Sequence, residues 1–156
     1  MVCCTDMRYA TADAFFTIQE INIALTADVG TFPRLVKLIP EGIVKELAYT
    51  GRAFSASEAK SYGLVNEVFA DQATMLTKVM SIAQEIASKA PVAVYGSKRM
   101  INYARDHSTQ DGLDYISIWN TSMMNSAEIL EAITAKSENR AARFVDLPPR
   151  ARHPGD

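Results

Sequence analysis

Two carboxylates, Glu20 and Asp28, lie in a stretch of apolar, small and uncharged polar residues and are the side chains best suited to chemistry in this chain. No other charged residue lies between them. Apolar surroundings disfavour the charged form of a carboxylic acid, which prepares such a group to exchange protons near neutral pH. The pair therefore predicts proton transfer, without yet naming a substrate.

A structural role competes with catalysis at Asp28. Because Asp28 stands just ahead of Val29–Leu35, its side chain fits an N-cap that accepts hydrogen bonds from the first turn of a helix. Pro33 is compatible with such a helix, since it would lie within the first turn. From the residues alone, the cap is the favoured role and proton transfer is the alternative.

Glu20 is harder to explain structurally. If residues 14–20 form a strand, its period of two places Glu20 on the same face as three apolar residues, Ala14, Phe16 and Ile18. An acid on an apolar face needs a hydrogen-bond partner or a chemical task, unless the end of the strand opens to water. We therefore expect either catalysis or a solvated strand end at Glu20.

Length and composition predict one globular domain that serves neither nucleic acid nor membrane. The chain has 156 residues, 48% of them hydrophobic and 22% charged, which is enough to bury a core. Its 16 basic and 18 acidic residues are mixed along the sequence, so no basic stripe indicates a nucleic-acid surface. No apolar run is long enough to span a bilayer, and the N-terminus lacks the pattern of a signal peptide.

Cysteine and histidine usage predicts no disulfide, no metal site and no histidine-based triad. Cys3 and Cys4 are adjacent, so they rarely point at a common partner, and a reducing compartment is expected. The two histidines, His107 and His153, stand far from other candidate ligands. We expect no metal and no cofactor.

Helical signals dominate the chain after its first twenty residues. Capping patterns, a proline suited to a first helical turn and an apolar stripe at helical spacing predict successive helices, and the stripe is expected to face the core. Gly96 is a candidate for close packing between helices. The caps are Ser55 with Glu58, Ser108 with Asp111, and Asn125 with Glu128; the proline is Pro91; the stripe is Met75, Leu76, Val79, Ile82, Ala83, Ile86 and Ala87.

Several motifs, in order and at matching spacing, resemble the second half of the enoyl-CoA hydratase/isomerase (crotonase) superfamily. Within it the chain is most similar to the delta(3,5)-delta(2,4)-dienoyl-CoA isomerases, because hydratases typically have glycine at the position of Asp28. The resemblance covers nearly the whole chain. The general motifs are residues 15–20, 27–31, 34–35, 50–59 and 63–65, and those similar to the isomerases are 103–108, 117–123 and 137–139.

The resemblance implies roles for both acids and a CoA thioester as substrate. Glu20 matches the family's general acid/base glutamate, and Asp28 matches the second acid of dienoyl isomerases. Asp28 would take a proton from C2 of a 3,5-dienoyl-CoA and Glu20 would deliver one at C6, giving the 2,4-dienoyl-CoA. Enoyl-CoA hydratase is the alternative activity, and no substrate-binding residue is assigned.

The chain departs from the family at three places. The N–H donors of the oxyanion hole belong to a family region that would precede Met1, so we expect this chain alone to be much less active than one containing them. Ala24 stands where glycine is usual, with consequences for the acyl pocket that the residues leave open. Asn139 stands where many relatives place a lysine near the CoA phosphates, which argues against an ionic contact there.

The expected fold is a helix-rich α/β structure, the C-terminal portion of a ClpP/crotonase-like fold with a short β segment. We assign residues 1–90 to the crotonase core, 91–146 to a helical cover and trimerisation layer, and 147–156 to an irregular tail. The resemblance implies a homotrimer or hexamer acting in fatty-acid beta-oxidation, in a mitochondrion or peroxisome, although this chain carries no targeting signal. A catalytically silent fragment that acts only in assembly is the alternative from another functional class.

Overall fold

The computed structural model describes residues 2–148 and divides into two compact units, Met1–Ser81 and Ile82–Asp156. Seven α-helices and four short strands account for most of the described chain. The strands are β1 (Tyr9–Thr11), β2 (Phe15–Phe16), β3 (Phe54–Ser55) and β4 (Glu67–Phe69). The helices are α1 (Thr31–Leu35), α2 (Glu41–Thr50), α3 (Ala56–Ser61), α4 (Gln72–Ala87), α5 (Pro91–Ala104), α6 (Thr109–Met123) and α7 (Ser126–Ser137), with 3-10 helices at Val2–Cys4 and Glu20–Ile23.

The strands of the first unit form two separate ladders. β1 pairs in parallel with β4, and β2 pairs antiparallel with β3, where the rings of Phe16 and Phe54 stack at 5.4 Å. The prediction of a strand over residues 14–20 is wrong in extent, because β3 offers only two residues to pair with and the chain enters a 3-10 helix at Glu20. The predicted alternation of burial nevertheless holds, since Ile18 is buried while Phe15 is 67% exposed.

The hydrophobic core that positions the site belongs to the first unit. Leu47 of α2 is fully buried, and small residues of α3 let that helix approach the core closely. The predicted cap of α3 is confirmed: the hydroxyl of Ser55 accepts the N–H of Glu58, whose carboxylate accepts the N–H of Ser55. The buried core residues are Ala10, Ile18, Ala27, Leu35, Ile39, Val44, Leu47, Ala48, Phe54, Ala56, Ala59, Leu64 and Val65.

The predicted stripe of α4 is helical but is not core. No residue of α4 is buried, and even the most covered members of the stripe, including Val79, Ile82 and Ile86, keep part of their surface. Leu76 and Met80 are at least half exposed. Periodicity identified the apolar face correctly, but the partner that would cover a face cannot be read from the helix itself.

The later helices begin where the sequence predicts. Pro91 lies in the first turn of α5, and Ser108 caps α6 reciprocally with Asp111. The side chain of Asn125 accepts the first N–H groups of α7, at Ala127 and Glu128. Of the tail assigned to residues 147–156, the first two carry no regular secondary structure and the rest lie outside the described residues. In the described chain, no helix combines the length and apolar character needed to cross a bilayer.

Candidate functional site

Glu20 opens the 3-10 helix Glu20–Ile23, two residues after the buried Ile18. The carbonyl oxygen of Glu20 accepts the N–H of Leu25 at 3.0 Å, which closes the turn, and its side chain is partly exposed. The helix ends at Ala24, whose backbone is left-handed with φ of 59°. The core therefore fixes the entry to this helix, and a local hydrogen bond fixes its exit.

Asp28 follows the buried Ala27 and is itself exposed. The prediction that Asp28 caps the next helix is wrong. Helix α1 starts at Thr31 with Gly30 at the N-cap position, and no side chain bonds to its first turn. Gly30 is left-handed, with φ of 83°, and this turn separates Asp28 from the helix it was expected to cap.

Both carboxylates are unpaired within residues 2–148: neither side chain has a hydrogen bond or an ion pair there. The segment that carries them is held in the core at both ends, by Ile18 and Ala27. Three apolar side chains between the acids are exposed: Ile21 at 44%, Ile23 at 70% and Leu25 at 58%. Such a segment offers two proton-transfer groups beside an apolar surface, while the convergence of the two acids on one cleft stays a prediction.

The C-terminal end of α2 contacts the chain that leads into this segment. Gly51, left-handed with φ of 62°, accepts a hydrogen bond at its carbonyl from the hydroxyl of Thr17 at 3.4 Å. The next residue, Arg52, forms ion pairs at 2.9 Å with Glu46 and with Glu58. From the sequence, residues 50–59 are assigned to a family motif and given no role at Glu20. The Thr-Gly-Arg run at the start of that motif is the feature of the sequence that could have indicated this support.

The Arg52 cluster fixes the loop between α2 and β3 electrostatically. The backbone N–H of Ser55 and the guanidinium of Arg52 hold the pKa of Glu58 below its ordinary value. Hydrogen bonding to Tyr62, Glu58 and Glu46 raises the pKa of Arg52 further above its already high value. The charged forms of Glu58 and Arg52 are both favoured, which supports the ion pair between them.

The described residues hold no group of three histidine, cysteine, aspartate or glutamate side chains arranged to bind a metal ion. Cys3 and Cys4 are free thiols. Asn139, at the position where the sequence argued against an ionic CoA contact, is left-handed with φ of 54° just beyond α7.

The second unit has two surface grooves, and neither Glu20 nor Asp28 lines them. One, of about 220 Å³, lies among α5, α6 and α7 and is mainly apolar. The other, of about 420 Å³, lies between α5 and α6 and is lined by Tyr95, Lys98, Arg99, Asn102, Tyr103 and Tyr115. There the guanidinium of Arg99 donates to the hydroxyl of Tyr115 at 2.8 Å.

Comparison with known proteins gives one family and consistent relatives. The Enoyl-CoA hydratase/isomerase family matches residues 1–147. A mitochondrial delta(3,5)-delta(2,4)-dienoyl-CoA isomerase from Mus musculus is 43% identical over 146 residues, covering 93% of this chain and 45% of the relative. A peroxisomal one from Arabidopsis thaliana is 40% identical, covering 94% of this chain and 53% of the relative. The chain thus spans about half the length of the curated relatives it matches.

Solved structures agree with that result. The enoyl-CoA hydratase EchA1 from Mycobacterium marinum superposes with a TM-score of 0.84 at 31% identity, covering 92% of this chain and 58% of that one. An enoyl-CoA hydratase from Bacillus anthracis superposes with a TM-score of 0.85 at 33% identity, covering 91% and 55%. The helix-rich α/β architecture predicted from the sequence is therefore confirmed.

Proposed function

Because the chain belongs to the enoyl-CoA hydratase/isomerase family, we propose that it carries the two proton-transfer carboxylates of a delta(3,5)-delta(2,4)-dienoyl-CoA isomerase. Glu20 and Asp28 are those carboxylates. The relatives that carry this isomerase name are 33–43% identical across more than nine-tenths of the chain, which supports isomerase chemistry over the hydratase alternative. Their mitochondrial and peroxisomal names support fatty-acid oxidation in one of those compartments.

The observation that carries the proposal is the absence of a structural task for Asp28. An aspartate that caps a helix accepts hydrogen bonds from backbone N–H groups, and its presence then needs no chemical explanation. Here Gly30 occupies the cap position, and the carboxylate of Asp28 has no partner in the described part of the chain. An unpartnered acid next to a buried anchor is instead available to a substrate.

The reaction needs two separated proton positions. Asp28 takes a proton from C2 of the 3,5-dienoyl thioester, and the C–H electron pair moves toward the thioester carbonyl to form a trienolate. The electrons then return through the conjugated chain, and C6 takes a proton from Glu20. Both double bonds move toward the carbonyl, giving the 2,4-dienoyl thioester. Proton exchange with water restores Asp28 to its ionised form and Glu20 to its protonated form.

The trienolate also requires stabilisation of the charge on the thioester oxygen. In comparable sites each backbone N–H donor of an oxyanion hole is worth about 3–4 kcal/mol. The family resemblance places those donors outside this chain, so we expect full activity only in a protein that contains them. The exposed apolar side chains between the acids, such as Ile23 and Leu25, suit contact with an acyl chain.

The experiment follows the absorbance of the conjugated 2,4-dienoyl thioester formed from 3,5-dienoyl-CoA. The protein is compared with Glu20→Gln and Asp28→Asn, which remove one titrating oxygen each with little change in shape. Asp13→Asn is the matched control, because Asp13 is an exposed acid of the same unit without a hydrogen bond or ion pair in the described chain. We expect a loss of about 100-fold or more in kcat for either site variant, as for other general acids and bases, and none for the control.

Two results would overturn the proposal. Unchanged isomerisation in both site variants would remove the assigned roles. Formation of a 3-hydroxyacyl-CoA from a 2-enoyl-CoA, without diene isomerisation, would instead establish the hydratase alternative.

The assembly alternative has one observation in its favour. Helices α6 and α7 expose large apolar side chains, among them Ile118 at 65%, Leu130 at 64% and Ile133 at 62%. Such faces are typical of surfaces covered in a homo-oligomer, in keeping with the trimer or hexamer that the resemblance implies. Sedimentation of the chain alone and of a longer chain, each beside its activity, separates assembly without catalysis from catalysis.

A further inference from the structure

Gly51 lies directly against the helix that begins with Glu20. A β-carbon built on Gly51 would lie 2.8 Å from Cγ2 of Ile21. It would also lie 2.8 Å from the side-chain nitrogen Nδ2 of Asn22 and 2.9 Å from its side-chain oxygen Oδ1. Carbon atoms in contact normally stay about 3.5–4.0 Å apart. Any side chain at this position would therefore push on the two residues that follow Glu20.

The same glycine also contacts the chain on the other side of Glu20. Its carbonyl accepts the hydroxyl of Thr17, three residues before the acid. Its own N–H donates to the carbonyl of Leu47, which is fully buried. Gly51 thus joins the core end of α2 to both flanks of the Glu20 helix.

The loop that holds Gly51 is itself fixed. Arg52 bridges Glu46 of α2 and Glu58 of α3 at 2.9 Å each, so the residue after the glycine is tied to two helices. These ion pairs oppose an outward movement of the loop in response to a new side chain at position 51. The Glu20 helix, with exposed side chains and few long-range bonds, is the element that would yield.

From these contacts we infer that Gly51 is a positioning residue for Glu20: the missing β-carbon lets the end of α2 set where the Glu20 helix lies. This inference rests on the proposed function, in which Glu20 transfers a proton. The side chain of Asn22 can rotate away from a new β-carbon, but Cγ2 of Ile21 can leave only by rotation about χ1, which is restricted in a β-branched residue. Substitution at position 51 should therefore shift the backbone at Glu20.

The matched pair for the test is Gly51→Ala and Gly63→Ala. Both glycines are left-handed, with φ of 62° and 84°, so alanine strains the backbone at either position. A β-carbon on Gly63 would meet nothing closer than the carbonyl oxygen of Leu38 at 3.9 Å. The two variants therefore share the backbone cost, and only Gly51→Ala presses on the Glu20 helix.

The first measurement is amide hydrogen exchange, which does not depend on turnover. We expect both variants to lose global stability to a similar degree. Exchange at Asn22, Ala24 and Leu25, whose N–H groups bond within the Glu20 turn, should accelerate about tenfold or more in Gly51→Ala and stay near wild type in Gly63→Ala. Adding Ile21→Ala and Asn22→Ala to Gly51→Ala removes the close atoms and should restore slow exchange at Ala24 and Leu25.

The second measurement is the rate of diene isomerisation. Gly51→Ala should lower kcat more than it changes KM, because proton transfer tolerates less displacement than an apolar contact does. Equal exchange rates in the two glycine variants would overturn the inference, and so would an unchanged kcat for Gly51→Ala when Glu20→Gln is inactive. If Glu20→Gln is fully active, the proposed function fails and the catalytic part of the inference fails with it, whereas the exchange result still decides whether Gly51 holds this helix.

Discussion

Gly96 of α5 lies so close to Trp119 of α6 that a β-carbon on residue 96 would stand 2.5 Å from the indole Nε1. The neighbouring ring of Tyr95 packs against the same indole, with centroids 5.8 Å apart. The approach of α5 and α6 thus depends on a glycine facing a tryptophan. The sequence predicted close packing at Gly96, and the structure supplies its partner.

Gly96→Ala should destabilise the second unit. The rigid indole cannot rotate away from a new β-carbon as a flexible chain would, so the helices must separate, at about 1–3 kcal/mol. Urea unfolding followed by tryptophan fluorescence measures this directly, because Trp119 is the only tryptophan.

Gly112→Ala is the control for that substitution. Gly112 also lies in this pair of helices, but a β-carbon there would meet nothing within 4 Å. Alanine should stabilise α6 by up to about 1 kcal/mol through helix propensity alone. If both substitutions stabilise the protein, the contact between Gly96 and Trp119 is not a close one.

The features that the sequence predicted correctly are local. A cap such as Ser108 with Asp111, or a first-turn proline such as Pro91, involves residues within one turn, and their chemistry is complete in a few letters. The face of α4 was also predicted correctly from its period. Each of these features depends on the chain near it and on little else.

The failures required knowledge of distant residues. The strand over residues 14–20 ends early because its partner β3 is two residues long, which nothing near Glu20 reveals. The exception is the cap expected at Asp28, which failed because the nearby left-handed turn at Gly30 delays the helix by two residues. The support of the Glu20 helix by Gly51 links positions about thirty residues apart, so the candidate site was predicted as two residues and not as an arrangement.

The backbone at Ala24 shows one consequence of alanine at a position where glycine is usual. Its φ of 59° is in the left-handed region, where an L-residue with a β-carbon is strained and glycine is not. Ala24→Gly should therefore stabilise the protein, by up to about 1 kcal/mol after the greater chain entropy of glycine is subtracted. Chemical denaturation of the two proteins measures the difference.

Ala83→Gly is the control, because there the change to glycine should lower the free energy of unfolding instead of raising it. Ala83 is an exposed residue inside α4, where glycine costs about 1 kcal/mol relative to alanine. A loss of stability for Ala24→Gly equal to that for Ala83→Gly would show that residue 24 is not left-handed in solution.

Asn139 is the other left-handed residue that is not glycine within residues 2–148. Asparagine tolerates this conformation better than most residues, and the helix α7 ends just before it, at Ser137. Asn139→Gly should leave stability equal or slightly higher, whereas Asn139→Lys should lower it by about 0.5–1 kcal/mol. Thermal unfolding of the two variants beside the wild type checks the order.

Glu131 ties the chain that follows α7 back onto that helix. Its two carboxylate oxygens accept hydrogen bonds from both terminal nitrogens of Arg140, at 2.6 Å and 2.9 Å, and one of them also accepts the backbone N–H of Arg143 at 2.7 Å. The fork from Arg140, followed by the N–H of Arg143, lowers the pKa of Glu131 from 4.5 to about 2. The ionised form is thus favoured in the folded chain.

This shift predicts a loss of stability in acid that Glu131→Gln removes. Above about pH 4.5 the carboxylate is ionised in both the folded and the unfolded chain, and its full stabilisation is present. As the pH falls from 4.5 toward 2, the unfolded chain takes up the proton first, so the stabilisation is lost. The free energy of unfolding should therefore differ between wild type and Glu131→Gln at pH 7 and converge near pH 2.

Glu128→Gln is the control on the same helix, because the side chain of Glu128 has no ion pair within residues 2–148. Its difference from wild type should be small at both pH values. Since Glu131 and Arg140 keep 25% and 38% of their side-chain surface in contact with solvent, added salt should reduce the Glu131→Gln effect at pH 7. A Glu131→Gln difference that stays constant from pH 7 to pH 2 would contradict the ion pair, because a loss of packing alone does not depend on protonation.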